Sequence, residues 1–169
     1  TGNLLVTDER FKLLSFTGSP DIGWKMTAQS GKKKVVLELG GNAATIITKS
    51  ADLKDALPKS LMGAFAYSGQ ICIHAQRFMV HSSLYQSFVD ELNALTQNLI
   101  SGNPLETATD ISNMIDEANA VRVENWIKEA IEQGAQLICG GKRHGSYVEP
   151  TILTNCNHTM KVYAEEVFG

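Results

Sequence analysis

The chain has 169 residues with a formal net charge of −3, and 43% of them are hydrophobic and 20% charged. This composition is typical of a folded globular protein and excludes a disordered chain. The weak charge gives no reason to expect a nucleic-acid partner. No apolar run approaches the roughly 20 residues that cross a bilayer, and no basic-then-apolar leader is present, so neither a membrane partner nor secretion is expected.

Three cysteines occur without a paired spacing, at Cys72, Cys139 and Cys156. An odd number of unpaired cysteines fits reduced thiols in a cytoplasm. No CxxC or HExxH motif is present, so we expect no metal site.

Apolar segments of two periods alternate along the chain, which predicts an α/β fold. In the first half, strands are predicted at residues 10–16, 33–39, 43–48 and 77–81. Ser19 followed by Pro20 predicts a hydroxyl N-cap and the start of a helix that reaches about Gly31. A second helix is predicted from Asp52 to Phe65, and Pro58 within it predicts a kink or a division.

In the second half, Ser83 and Gln86 have the spacing of a capping box and predict a helix with leucines and Phe88 on one face. Another helix is predicted over 123–131, ending at Gly134. Short strands are predicted in "AQLICGG" and "VEPTILT". No internal repeat or low-complexity linker is present.

The first segment that could carry chemistry is "SFTGSPDIG" (15–23). A glycine beside a helix N-terminus lets phosphate groups approach backbone N–H groups and the positive end of the helix dipole. Only Gly18 and Gly23 are present, so the full dinucleotide-binding fingerprint is not formed. An ordinary tight turn therefore stays open as an alternative.

The second segment is "LELGG" (37–41), where Glu38 lies in an apolar strand. Burial would make this carboxylate a general base, with Gly40 and Gly41 leaving room for a ligand. The alternative is a carboxylate at the exposed end of the strand, beside the run Lys32–Lys34.

The third segment is "AYSGQICIHAQRF" (66–78), where Cys72 stands between Ile71 and Ile73. A lone thiol in such surroundings is either packing or a nucleophile activated by a helix N-terminus or a nearby cation. None of the histidines shows a recognisable partner motif, and no G-x-S-x-G motif occurs, so neither a Cys–His pair nor a serine hydrolase is supported.

Together these segments resemble the aldehyde dehydrogenase superfamily. "FTGSPDIG" is similar to the family's cofactor turn, "LELGGN" to its glutamate motif and "SGQICIHAQR" to its cysteine motif. "GNP", "QGAQLICGG", "YVEPTIL" and "EEVFG" are similar to its later motifs. The resemblance covers essentially the whole chain in the family's order and spacing.

The resemblance implies a fold and a domain division. It implies the three-layer doubly wound α/β sheet of the family's catalytic domain over residues 39–169. That part would be preceded by the last strands and helix of the NAD(P)-binding domain over residues 1–38.

The resemblance also assigns site residues. Cys72 is similar to the nucleophile and Glu38 to the general base. The residues similar to cofactor contacts are Phe16, Gly18, Ser19 and Gly23 in the turn, Leu39 at the nicotinamide, Glu166 at the nicotinamide ribose and Phe168 near the ring. NAD or NADP is the implied cofactor.

The implied activity is oxidation of an aldehyde to a carboxylic acid through a cysteine thiohemiacetal and a thioester, in a cytoplasmic enzyme that forms homo-oligomers at full length. The family's oxyanion-hole asparagine, most of its adenosine site and its continuation past "EEVFG" have no counterpart in this sequence. These residues alone are therefore expected to have little or no activity, and to associate or be poorly soluble.

Two alternatives stay open. One is a CoA-acylating or phosphate-releasing member of the superfamily, which would not need Glu38 to activate water. The other is a non-catalytic remnant. The sequence does not specify the aldehyde or the choice between NAD and NADP.

Overall fold

The computed structural model describes residues 2–169, which divide into two compact units, one ending at Gly41 and the other spanning Asn42–Gly169. The helices are α1 Gly2–Thr7, α2 Pro20–Gln29, α3 Leu53–Phe65, α4 Tyr85–Gln97, α5 Glu117–Glu132 and α6 Lys161–Ala164, with a 3₁₀ helix at Ala66–Gly69. The strands are β1 Leu13–Thr17, β2 Lys34–Glu38, β3 Ala44–Ile47, β4 Arg77–Val80, β5 Gln136–Cys139, β6 Arg143–His144, β7 Tyr147–Val148 and β8 Ile152–Thr154.

The smaller unit is built on a β–α–β segment. Strands β1 and β2 pair in parallel, with Thr17 opposite Glu38, and α2 provides the crossover that a parallel pair requires. Side chains along both strands alternate between exposed and partly buried. The carboxyl ends of the two strands therefore meet at one edge, where the chain leaves β1 for α2.

The larger unit repeats this arrangement with β3, α3 and β4. The two strands pair in parallel, with Ala44 opposite Arg77 and Ile47 opposite Val80. Helices α3 and α4 pack around a buried cluster of Ile47, Leu57, Phe88 and Leu92. The rings of Phe78 and Phe88 have centroids 5.7 Å apart, so β4 contributes an aromatic contact to this core.

The rest of the larger unit surrounds α5. Strands β5 and β8 pair antiparallel, and β6 and β7 form a short hairpin. One side of α5 packs in a cluster of Met114, Ala120, Val123, Ile127 and Val167, and its end packs in a cluster of Ala130, Ala135 and Met160. Val167 belongs to the first cluster, so the last residues of the chain are anchored in this core.

Helices and strands alternate as predicted, which confirms the α/β class. Within residues 2–169 the strands pair as four two-stranded sheets. The assignment of residues 1–38 to a cofactor domain and of 39–169 to a catalytic domain stays a prediction. No helix among the described residues has the length and apolar composition to cross a membrane.

The structure departs from three local predictions wholly or in part. Helix α3 runs through Pro58 without a division, because a proline inside a helix removes only one backbone donor, and a kink at Pro58 stays a prediction. Ser83 does not cap α4, since Leu84 is the N-cap and the Ser83 hydroxyl pairs with His81 Nδ1 at 2.9 Å. Ser19 is the N-cap of α2, as predicted, but its hydroxyl forms no cap hydrogen bond.

Candidate functional site

The turn between β1 and α2 is shaped by Gly18. Its φ is +155°, and a Cβ placed there would lie 2.7 Å from Cζ of Phe16. A side chain at this position would therefore displace the Phe16 ring. The Gly18 N–H donates to the carbonyl oxygen of Glu38 at 3.0 Å, which ties the turn to the end of β2.

Gly23 lets α2 pack closely against the same edge. A Cβ on Gly23 would lie 2.7 Å from Cδ2 of Leu39 and 3.4 Å from Cδ1 of Phe16. The structure thus brings Phe16, Gly18, Gly23 and Leu39 together, with Ser19 exposed at the start of the helix.

This edge fits the predicted cofactor chemistry. It combines the carboxyl ends of parallel strands with a helix N-terminus and with glycines that leave room for a ligand, which is where phosphate-bearing cofactors bind in α/β proteins. The donors at this edge would be backbone N–H groups in the first turn of α2, which also carries the acidic side chain of Asp21.

Glu38 is the last residue of β2 and is exposed. Of the two alternatives for Glu38, the position in this chain matches a carboxylate at the exposed end of the strand. The reason is the strand alternation, which places Glu38 on the same exposed face as Lys34 and Val36. An exposed carboxylate has direct access to water, and its role as a base stays a prediction.

The segment before Cys72 has an unusual backbone. Tyr67, Ser68 and Gly69 follow one another with φ values of +53°, +55° and +73°, a left-handed conformation that is unfavourable for residues other than glycine. The Ser68 hydroxyl compensates by donating to the Ser112 carbonyl at 2.9 Å and accepting from the Ser112 N–H at 3.2 Å. These contacts fix the reversal of the chain after α3.

Cys72 lies in a turn closed by a 3.0 Å hydrogen bond from the His74 N–H to the Ile71 carbonyl. Its side chain is exposed, and Ile73 beside it is 83% exposed. The neighbouring isoleucines therefore do not enclose the thiol in this chain. Within residues 2–169 the Cys72 N–H has no hydrogen-bond partner, so it is available to a carbonyl oxygen.

The two other thiols differ from Cys72. Cys139 and Cys156 are only partly accessible, and burial raises the pKa of each. Of the three cysteines, Cys72 is the most accessible to a reagent in solution.

The predicted cofactor residues Glu166 and Phe168 lie in a segment held by Gln76. The Gln76 Nε2 donates to the carbonyl oxygens of Val162 and Glu165, both at 2.8 Å. The Val167 N–H donates to Gln76 Oε1, also at 2.8 Å. One side chain near Cys72 thus binds the backbone on both sides of Glu166.

Other contacts hold the same segment. Asn42 Nδ2 donates to the carbonyl oxygens of Tyr163 and Glu165 at 2.9 and 3.2 Å, and Arg122 donates to the Val167 carbonyl at 2.8 Å. A Cβ on Gly69 would lie 2.6 Å from the Gly169 oxygen. The structure therefore brings the Cys72 loop and the segment of Glu166 and Phe168 together.

The negative charge of Glu166 acts on two partly buried side chains, His74 and Arg122. Burial lowers the pKa of His74, while a backbone hydrogen bond with Ala64 and the negative charge of Glu166 oppose that shift. Burial likewise lowers the pKa of Arg122, and the charges of Glu165 and Glu166 oppose it. Phe168 has a φ of +51° and is 40% exposed.

The sequence interpretation missed Gln76, Asn42, Arg122 and Ser68. A signal existed for three of them, because Gln76 and Ser68 stand in the cysteine motif and Asn42 ends the glutamate motif. Arg122 gave no such signal, since it lies outside these motifs and its partner Val167 is 45 residues away.

A cavity of about 430 Å³ lies in the larger unit. Its walls include residues of β4, β8, α4 and α5, and Cys72 does not line it. The cavity is therefore distinct from the exposed surface at the thiol. The described residues contain no cluster of three or more His, Cys, Asp or Glu side chains suited to a metal.

Comparison with known proteins places these motifs in one family. The model of the aldehyde dehydrogenase family matches residues 1–169. The 3-sulfolactaldehyde dehydrogenase of Priestia aryabhattai is 46% identical over 168 residues, which cover 99% of this chain and 35% of that protein. The chain thus spans about a third of the length of the curated relatives it matches.

Solved structures agree in fold. Aldehyde dehydrogenase 21 of Physcomitrella patens, in complex with succinate, superposes with a TM-score of 0.96 at 43% identity, covering 99% of this chain and 35% of that one. A glyceraldehyde-3-phosphate dehydrogenase of Methanocaldococcus jannaschii, complexed with NADP, also gives 0.96, at 35% identity and with coverage of 99% and 37%.

Proposed function

This chain belongs to the aldehyde dehydrogenase family, and from that premise we propose that it carries the nucleophile, the general base and the nicotinamide end of the cofactor site of an NAD(P)-dependent aldehyde dehydrogenase. The observation that supports this best is the exposed Cys72 thiol, with an unpaired N–H, in a loop bound to the segment of Glu166 and Phe168.

Cys72 acts first. Its thiolate adds to the aldehyde carbon, and the carbonyl oxygen becomes an oxyanion that accepts from the Cys72 N–H. Bound NAD or NADP would supply the hydride acceptor for that carbon, and a thioester would then remain on Cys72. The positive charge of the bound cofactor would also favour the thiolate, so a histidine partner is not required.

Glu38 acts second. Its carboxylate takes a proton from water as the water adds to the thioester carbon. The carbon–sulfur bond then breaks, so that the thiolate leaves and a carboxylic acid is released.

The cofactor residues divide between the two units. The turn at Gly18 and Ser19 would bind phosphate at the N-terminus of α2, with Phe16 and Gly23 shaping the surface. Leu39 would contact the nicotinamide, Glu166 its ribose and Phe168 the ring region.

The substrate proposed is a small aldehyde that carries an anionic group. It rests on the names of relatives, which include 3-sulfolactaldehyde and succinate-semialdehyde dehydrogenases. A panel of aldehydes with and without a carboxylate or sulfonate tests this choice.

The chemistry is tested in the longest natural protein that contains this chain, by following the absorbance of reduced nicotinamide after an aldehyde is added. Cys72→Ser should lower kcat to background, because an alcohol does not replace a thiolate nucleophile. Glu38→Gln should lower steady-state kcat by about 10²-fold while one turnover of reduced cofactor still forms, since acylation precedes the step that needs the base.

Cys139→Ser and Cys156→Ser are the matched controls and should leave kcat unchanged. Full activity in Cys72→Ser would exclude the proposal. Acyl-CoA formation that depends on added CoA would favour the CoA-acylating alternative. In the chain alone, iodoacetamide should label Cys72 faster than Cys139, and equal rates would favour a non-catalytic remnant.

A further inference from the structure

We propose that Gln76 is a positioning residue, whose carboxamide fixes the backbone around Glu166 and so presents the Glu166 carboxylate beside the Cys72 loop. The inference rests on the proposed function, because Glu166 is predicted there to hold the nicotinamide ribose.

The carboxamide is suited to this task because it both donates and accepts hydrogen bonds. It donates to the Val162 and Glu165 carbonyls and accepts from the Val167 N–H, with all three distances at 2.8 Å. Glu166 lies between two residues bound by this one side chain. The backbone of Glu166 is therefore held on both sides, which restricts its rotation.

The segment depends on these side-chain contacts. Residues 165–169 follow α6 and belong to no helix or strand, so their backbone groups do not have the partners of a regular element. Gln76, together with Asn42 and Arg122, supplies those partners.

The backbone on both sides of Gln76 is held in place. The Ala75 N–H before it donates to the Gly63 carbonyl of α3 at 2.8 Å, and Arg77 after it begins β4. Cys72 lies in the turn just before this anchored pair. The geometry therefore connects the chain just after the Cys72 turn to the backbone around Glu166 through one side chain, as supporting residues do in preorganised sites.

The first test measures hydrogen exchange at the Val167 amide in the chain as it stands. In Gln76→Met this amide should exchange about 10-fold faster than in the wild type, because its acceptor is lost. Gln76→Glu keeps the acceptor and should leave Val167 protected. Gln97→Met, which removes an exposed hydrogen bond to Asn93, is the matched control and should change nothing at Val167.

The second test uses the longest natural protein that contains this chain. Gln76→Met and Gln76→Glu should each raise the KM for NAD(P) about 5- to 10-fold and change kcat less than about twofold, since each loses the two donated hydrogen bonds. The KM for the aldehyde should not change. If Gln76 acted only on stability, both variants would lower the unfolding temperature but leave the KM for NAD(P) and kcat as in the wild type.

A double variant shows whether Gln76 acts through Glu166. If it does, Gln76→Met combined with Glu166→Gln should raise the KM for NAD(P) no further than Glu166→Gln alone. Additive effects would overturn the proposal, and so would wild-type exchange at Val167 in Gln76→Met. If the wild-type protein oxidises no aldehyde, the proposed function fails, and the exchange experiment then decides by itself whether Gln76 fixes this segment.

Discussion

The two units position their predicted site residues in different ways. In the smaller unit the turn is set locally, by the register of β1 on β2 and by glycines that allow close packing. In the larger unit the Cys72 loop is tied to the Glu166 segment by side-chain hydrogen bonds between residues 86 to 91 positions apart. Local geometry thus positions the predicted site residues of the smaller unit, and long-range polar contacts position those of the larger unit.

Buried residues are also distributed differently between the two units. The three buried hydrophobic clusters all lie in the larger unit, whereas the buried residues before Gly41 are Val6, Gly23 and Ser30. A long-range hydrogen bond needs a rigid base at each end, which the core of the larger unit supplies. A glycine turn needs only its two strands and the following helix.

The largest effect is expected when a glycine with a left-handed backbone conformation is replaced by alanine. Each unit offers one such glycine. Gly69→Ala should lower the free energy of unfolding by about 3 kcal/mol, because left-handed backbone disfavours a Cβ and the Cβ would also meet the Gly169 backbone. Gly31 has a similar φ of +65° with nothing within 4 Å, so Gly31→Ala should cost about 1 kcal/mol.

Urea denaturation of both variants measures the difference. Equal losses would contradict the comparison, since they would mean that the contact between Gly69 and Gly169 contributes nothing beyond the backbone conformation.

A smaller effect is expected at the helix caps. Asp52 caps α3 by accepting from the Lys54 N–H at 3.0 Å, and Asp52→Ala should cost about 1 kcal/mol of unfolding free energy. Ser19 makes no cap hydrogen bond in α2, so Ser19→Ala should cost less than about 0.3 kcal/mol.

Thermal unfolding followed by circular dichroism compares the two cap variants. A larger loss from Ser19→Ala than from Asp52→Ala would show that the Ser19 hydroxyl binds the helix in solution, and would remove this contrast between the units.

The smallest effect is a pH dependence from His74. Because burial lowers the pKa of His74 from its ordinary value near 6.5, the unfolded chain binds this proton more readily than the folded one. The free energy of unfolding should therefore fall as the pH decreases below about 6.5.

His74→Gln should flatten the dependence between about pH 7.5 and 5.5, and His158→Gln, at an exposed position, should retain it. Carboxyl groups with a lowered pKa, such as Asp116, act in a more acidic range. An unchanged slope in His74→Gln would mean that His74 is hydrated in solution.

Sequence reasoning reached the α/β class and most elements, because each depends on a local periodicity. It also found the glycine turn at Gly18 and Gly23, whose shape is encoded within a few residues. It left open whether Glu38 is buried and whether Cys72 packs in the core, since accessibility depends on what packs against a strand or turn.

By itself, the sequence determined the family and the order of the chemistry-bearing residues, because motifs such as "LELGG" and "SGQICIHAQR" are read directly along the chain. The tertiary structure decided that Gln76, Asn42 and Arg122 bind the backbone around Glu166. It also decided that Cys72 is exposed while its loop is held by Ser68 and Gly69. These features depend on hydrogen bonds between residues far apart in the sequence, and no local pattern specifies such partners.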